Sequence, residues 1–222
     1  MNPIFEEDGM HWVRIPGVRV FGKHGCFTRP EFRSERVSYE VMTPPAAQGV
    51  MDNTLWREGA KWKLERLELL SRIQTYQMTR HEASSVYTNA TNLIKGGGVD
   101  MDSNFTLRRT VLLHEPDYLL HFRLGHEDYD TVRKLEAMAL RYLAQGRTFY
   151  SRYLGMREME ARVKLVTKRE EAPPVVDDTR ELGFMVHSYT WEDGKRVKTG
   201  FFNARLDHGI MEVPMKPMME AS

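Results

Sequence analysis

The chain has 222 residues, 41% of them hydrophobic and 28% charged, with a net charge of +1, which suits one large domain, with or without a smaller appendage. No apolar run reaches the ~18 residues of a membrane span, and the acidic start MNPIFEEDGMHW lacks the basic and apolar regions of a signal peptide. Cys26 is the single cysteine, so an intrachain disulfide and a cysteine-cluster metal site are excluded, and the expected compartment is the reducing cytoplasm.

Residues 13–22 alternate well enough for a first strand. Thr43-Pro44-Pro45 is a helix-start signal, Thr as N-cap and Pro at the first helical position, and Ala47, Val50, Met51 and Leu55 follow at helical spacing. Segments 61–70 and 72–82 are predicted strands. The polar segment 84–104, with Gly96-Gly97-Gly98, is expected to be a mobile excursion. Segments 105–113 and 118–124 are predicted to form a strand pair across His114-Glu115-Pro116-Asp117.

Residues 131–144 predict an amphipathic helix with Val132, Leu135, Met138, Ala139, Tyr142 and Leu143 on one side, closed by Gln145-Gly146 as an αL cap. Segment 161–166 is a further strand, and 172–178, with two prolines and two aspartates, a linker or loop tip. Segments 183–191 and 198–206 flank Glu192-Asp193-Gly194-Lys195, a hairpin signal. Residues 210–213 allow one more short strand. From residue 13 to 166 the order is βαββαβ with a loop insertion and an extra hairpin, which fits an α+β, ferredoxin-like (RRM-like) unit.

Charge is unevenly laid out. Residues 133–169 hold ten Lys or Arg against three Glu, and residues 170–195 hold seven acids against two bases. A near-neutral chain can in this way present a basic surface to a polyanion. Two stretches mix arginine with aromatics. In CFTRPEFRSERVSYEVMTPP, Arg29, Arg33 and Arg36 alternate with Phe27, Phe32 and Tyr39. In GRTFYSRYLGMRE, Arg147, Arg152 and Arg157 lie beside Phe149, Tyr150 and Tyr153.

These two stretches, with Leu107-Arg108-Arg109, Asp117-Tyr118, Leu182-Gly183-Phe184-Met185 and Val213-Pro214, resemble the CRISPR-associated Cas-five family, subtype I-C, over nearly the whole chain. The resemblance implies a ferredoxin-like RNA-binding domain over 1–170 and a small C-terminal antiparallel β domain over 171–222. It also implies a place in antiviral defence: capping the 5′ handle of CRISPR RNA within the Cascade complex and cutting the precursor RNA. The implied partners are CRISPR RNA and the backbone and large subunits of Cascade, with duplex DNA as a further candidate.

RNA offers phosphates to arginine, bases to aromatic rings and 2′-hydroxyls to polar side chains. On these grounds the candidate RNA-binding residues are Arg29, Arg33, Arg36, Ser38, Tyr39, Gly146, Arg147 and Arg157, with Gly146 allowing close backbone approach to phosphate. The competing reading makes Tyr39 and Phe27 core residues and pairs the arginines with Glu31, Glu35 and Glu158.

Metal-free RNA cleavage needs a base, an acid and a cation on the phosphorane. By the resemblance a Tyr should end the first helix and a Lys-His pair should open the second. Leu55 stands at the first position and Lys134-Leu135 at the pair, so only the lysine is kept. Lys134 and His126 are therefore the candidate catalytic residues, and a non-catalytic handle-binding subunit is the alternative. His114 and His121 are expected to be structural. No spacing of His, Asp and Glu suggests a metal centre, and no cofactor is expected.

Overall fold

A computed structural model describes residues 2–32, 35–83 and 105–221. The segment 84–104, expected above to be mobile, and Arg33 lie outside the described residues. The chain is α+β, with three mostly antiparallel sheets and two α-helices among the described residues.

The first strand comes in pieces. β1 (Ile4–Glu7) and β2 (Met10–Arg14) form a hairpin through Asp8-Gly9, both at positive φ, the conformation of a two-residue hairpin turn. Ile15-Pro16 then separates β2 from β3 (Gly17–Phe21), because proline has no N–H for the ladder. The Ile15 N–H still reaches the Phe122 carbonyl at 2.9 Å, so the sheet continues across the break. After the short β4 (His24–Gly25) and β5 (Arg36–Val37), α1 (Pro44–Thr54) starts with Pro44 at its first turn. Thr43 occupies the N-cap position, yet its hydroxyl makes no capping bond.

β6 (Lys61–Leu69), β7 (Thr75–Ala83), β8 (Phe105–His114) and β9 (Asp117–His126) follow. β8 and β9 are both strands, as expected, but they do not pair with each other. β7 and β8 pair over nine positions from Thr75↔Leu113 to Ala83↔Phe105, while β9 enters the large sheet. The turn between His114 and Asp117 thus carries the chain from one sheet to another. Proline at 116 and the positive φ of Glu115 prevent a continuous ladder there.

α2 (Tyr129–Ala144) begins two residues before its expected start, because Asp128 caps it by accepting the Thr131 N–H at 2.7 Å. Val132, Leu135, Ala139 and Leu143 form its buried stripe. The large seven-stranded sheet runs β1-β2-β9-β3-β10, where β10 is Arg162–Val166 and β6 pairs the other side of β9.

β11 (Arg180–Glu192) and β12 (Lys195–Leu206) turn at Asp193-Gly194, again both at positive φ, and β14 (Met219–Ala221) completes a three-stranded sheet. β13 (Ile210–Glu212) instead joins the large sheet along β6. The buried residues Leu182, Met185, Phe202, Leu206 and Met211 belong to the same cluster as Val18, Leu120 and Val132. One core therefore runs under both the large sheet and the C-terminal sheet. No helix among the described residues is long and apolar enough to cross a membrane.

Candidate nucleic-acid interface

The loop between Cys26 and Tyr39 is closed at its stem by backbone bonds, Arg29 N–H to the Val37 carbonyl at 2.9 Å and Tyr39 N–H to the Phe27 carbonyl at 2.8 Å. Ser38 Oγ accepts the Phe27 N–H at 2.9 Å and donates to the Tyr39 carbonyl at 2.7 Å. With its hydroxyl so engaged and 6% exposure, Ser38 staples the loop and has nothing to offer a 2′-OH. Tyr39 is 1% exposed, and the Arg29 guanidinium lies over its ring at 4.5 Å. Burial first, and then Glu31, push its phenol up to about 12. Its ring face is filled by protein, so Tyr39 is a core residue and not a stacking platform, and Phe27 is buried with it.

Among the described residues, the arginines of the loop are paired with carboxylates. Arg29 pairs Glu31 at 3.6 Å and Arg36 pairs Glu82 at 3.6 Å. Arg80 and Arg108 face each other across β7 and β8, a like-charge pair held by Glu158 at 3.2 Å from Arg80 and Glu82 at 3.3 Å from Arg108. Arg80 Nη1 and Arg152 Nη1 are buried with no partner among the described residues, and such orphaned donors call for a ligand or water. Cys26, between these groups, has its thiol pushed up chiefly by burial, which leaves it unreactive.

The second arginine stretch is placed by a helix stop. Gly146 sits at φ 65, its N–H bonds the Leu143 carbonyl at 3.2 Å, and Arg147 N–H bonds the Tyr142 carbonyl at 2.8 Å. These are the two bonds of a Schellman cap, so the positive φ accounts for the glycine without any phosphate. Downstream, the Asn53 carbonyl at the end of α1 receives Thr148 Oγ1–H at 2.9 Å, Phe149 N–H at 2.8 Å and Tyr150 N–H at 3.0 Å. That anchor leaves Phe149 and Tyr150 53% and 63% exposed, their rings edge-to-face at 4.7 Å. Arg147 is exposed with its guanidinium 5.7 Å from the Tyr142 ring, and Arg157 is exposed.

The two stretches are clamped together. Cys26 N–H donates to the Leu154 carbonyl at 2.9 Å, Arg36 Nη1 lies 3.5 Å from Met156 Sδ, and Gly155 at φ 83 packs so tightly that a Cβ would collide with the Cys26 carbonyl. Arg29, Arg36 and Arg157 thereby belong to one region, together with Arg80, which sequence reading missed. Its place depends on the pairing of β7 with β8, for which the sequence carries no signal.

The nuclease positions fall elsewhere. Leu55 and Leu135 are 2% and 3% exposed in the core, so a catalytic side chain in either place would face apolar neighbours, not RNA. The exposed aromatic at the end of α1 is Trp56, at 55%, also missed from the sequence. Lys134 is exposed on α2. His126 Nδ1 accepts the Asp128 N–H at 2.9 Å, and its Nε2 lies against Gly59, 2.7 Å from where a Cβ would be. Lys134 and His126 help to hold Asp128 below the usual carboxylate range, after the larger effect of its bonds to Thr131. His121 bonds Glu68 at 2.8 Å, beside Arg66, in a salt-bridge network between strands.

Residues 17–214 match the family model described as CRISPR-associated protein (Cas_Cas5), and the chain belongs to that family. Among its relatives is the CRISPR pre-crRNA endoribonuclease Cas5d of Mannheimia succiniciproducens, 26% identical over 213 residues, which span 89% of this chain and 93% of that protein. The Cas5d endoribonuclease of Thermus thermophilus is 27% identical over 220 residues, 91% of this chain and 93% of that one. A solved structure described as a CRISPR-associated protein shares the fold, with a TM-score of 0.68 at 19% identity over 96% of this chain and 100% of that one.

Proposed function

We propose that the chain is a subunit of a type I-C Cascade complex that binds the 5′ handle of CRISPR RNA and processes precursor CRISPR RNA by metal-independent endoribonucleolytic cleavage. The observation that carries this reading is the family match across 17–214, with relatives named pre-crRNA endoribonucleases aligned over 89% and 91% of the chain. Phosphates would run along Arg29, Arg36 and Arg157, joined by Arg80, toward Arg147 beyond the Gly146 cap, and Arg33 is a further candidate contact on its sequence alone. Ser38 and Tyr39 support that surface from within.

The ferredoxin-like reading of the large sheet is supported by the antiparallel order β10-β3-β9-β6, with α1 between β3 and β6 and α2 between β9 and β10 in sequence. The division into 1–170 and 171–222 is proposed as one of role, the first part gripping RNA and the second facing other Cascade subunits. Cytoplasmic location and duplex DNA as an added partner belong to the same proposal.

Lys134 and His126 are the candidates for phosphorane neutralisation and proton transfer near α2. A second reading, handle binding without cleavage, is favoured by the burial of Leu55 and Leu135. Incubating the protein with its repeat RNA in EDTA separates the two. A single cut is expected, and tight binding of uncut RNA would establish the second reading.

A further inference from the structure

His24 opens β4 and His114 closes β8, and they are directly opposed in the antiparallel pairing of those strands. Register therefore puts both imidazoles on one face, with ring centres 6.3 Å apart and planes inclined by 38°. Tyr76 approaches from β7. Its hydroxyl lies 2.7 Å from His24 Nδ1, and its ring stands edge-on to His114 with centres 6.1 Å apart. With Gln74 and Thr75 these side chains line a cavity of about 440 Å³. His24 also forms part of the wall of a second cavity, of about 650 Å³, with Lys23, Ser71 and Arg162. None of the three is fully buried.

This arrangement differs from that of His121 and His126 in the large sheet. His121 is tied to Glu68 and Arg66, and His126 is held between the Asp128 amide and Gly59. His24 and His114 instead share the wall of one open cavity with Tyr76.

We propose that His24 and His114 form the acid–base pair for metal-independent cleavage of an RNA phosphodiester, with Tyr76 positioning His24. The inference rests on the processing reading given above and moves its chemistry away from His126. With His24 Nδ1–H donating to the Tyr76 oxygen, Nε2 carries the lone pair. Desolvation, then Lys23 and His114, lower the His24 pKa against the opposing pull of Glu115, which keeps the ring neutral at pH 7. Nε2 takes the proton of the 2′-hydroxyl, the 2′-oxygen bonds to phosphorus, and the bond from phosphorus to the 5′-oxygen breaks. His114 acts as the acid and gives a ring proton to that departing oxygen. The products are a 2′,3′-cyclic phosphate and a 5′-hydroxyl, and the two histidines return to their starting states by proton exchange with water. Lys23, which shares the wall of the second cavity with His24, would be the cation for the phosphorane.

The test is single-turnover cleavage of repeat RNA in EDTA by full-length variants, with equilibrium binding measured alongside. H24A and H114A are expected to slow cleavage by about 100-fold or more, the usual contribution of general acid–base catalysis, with little change in Kd. A substrate carrying sulfur in place of the scissile 5′-bridging oxygen needs no acid, since a thiolate leaves unprotonated. It is expected to restore H114A and not H24A. Y76F should slow cleavage less than H24A at unchanged affinity. If either alanine variant melts early, H24N and H114Q, closer in shape, replace it. Normal rates in the His24 and His114 variants with an inactive H126A or K134A would overturn the proposal and leave the processing reading standing, as would equal losses of affinity and cleavage. No cleavage of repeat RNA by the unaltered protein would overturn both.

Discussion

At the scale of single residues, Arg147 and Asp52 carry the clearest tests. Arg147 is exposed beside Tyr142, free to meet a phosphate, whereas Lys168 lies exposed in the turn after β10. R147A should weaken repeat-RNA binding roughly tenfold, the worth of one charge-assisted contact, and K168A much less. Equal effects in fluorescence anisotropy would move the phosphate path away from the Gly146 turn. Asp52, on α1, has its carboxyl raised to about 6 by burial, with only Gln48 opposing. Its folded pKa exceeds the unfolded one, so the folded state holds the extra proton between about pH 4 and 6. Stability should therefore rise as pH falls through that window. D52N should remove the dependence and stabilise the protein at pH 7 by roughly 1 kcal/mol after solvent screening. A D52N melting curve with unchanged pH dependence would contradict this.

At the scale of elements, the two glycines of the second arginine stretch separate cap from clamp. Gly146 has open space around an added Cβ, so G146A should cost only the ~1–2 kcal/mol of a left-handed alanine. Gly155 combines φ 83 with a collision against the Cys26 carbonyl, and G155A should cost roughly 3 kcal/mol or more. Urea unfolding of both variants checks the order, and equal costs would mean that the two stretches are not clamped.

Much at this scale was legible in the sequence. Thr43-Pro44 marked the start of α1, Gly146 the end of α2, and Asp193-Gly194 a hairpin. The same dipeptide at Asp8-Gly9 turns the β1–β2 hairpin and carries the same signal. Pairing partners were not legible, because hydrophobic alternation marks a strand and says nothing of its neighbour, and β8 pairs with β7 where the turn at 114–117 predicts β9. The candidate site was half legible. Arginine spacing gave Arg29, Arg36, Arg147 and Arg157. The burial of Tyr39 and Ser38, and the meeting of His24 with Tyr76, depend on contacts between residues far apart in the chain.

At the scale of the whole molecule, the continuous core sets a limit on the proposed division at residue 170. Leu182, Met185, Phe202 and Met211 pack into the cluster formed by Val18 and Leu120, and β13 completes the edge of the large sheet at β6. A chain ending at 170 should expose that face and lose cooperative unfolding in calorimetry, whereas a sharp transition would show two independently stable domains. The basic run between Arg133 and Arg169 sits within a nearly neutral protein, so RNA affinity should fall steeply, by about tenfold or more, between 50 and 200 mM salt.

The most direct measurement is the product of the full-length protein acting on its own repeat RNA in EDTA, read by mass spectrometry. A single cut that leaves a 2′,3′-cyclic phosphate and a 5′-hydroxyl is the predicted result. Tightly bound RNA of unchanged mass would contradict it.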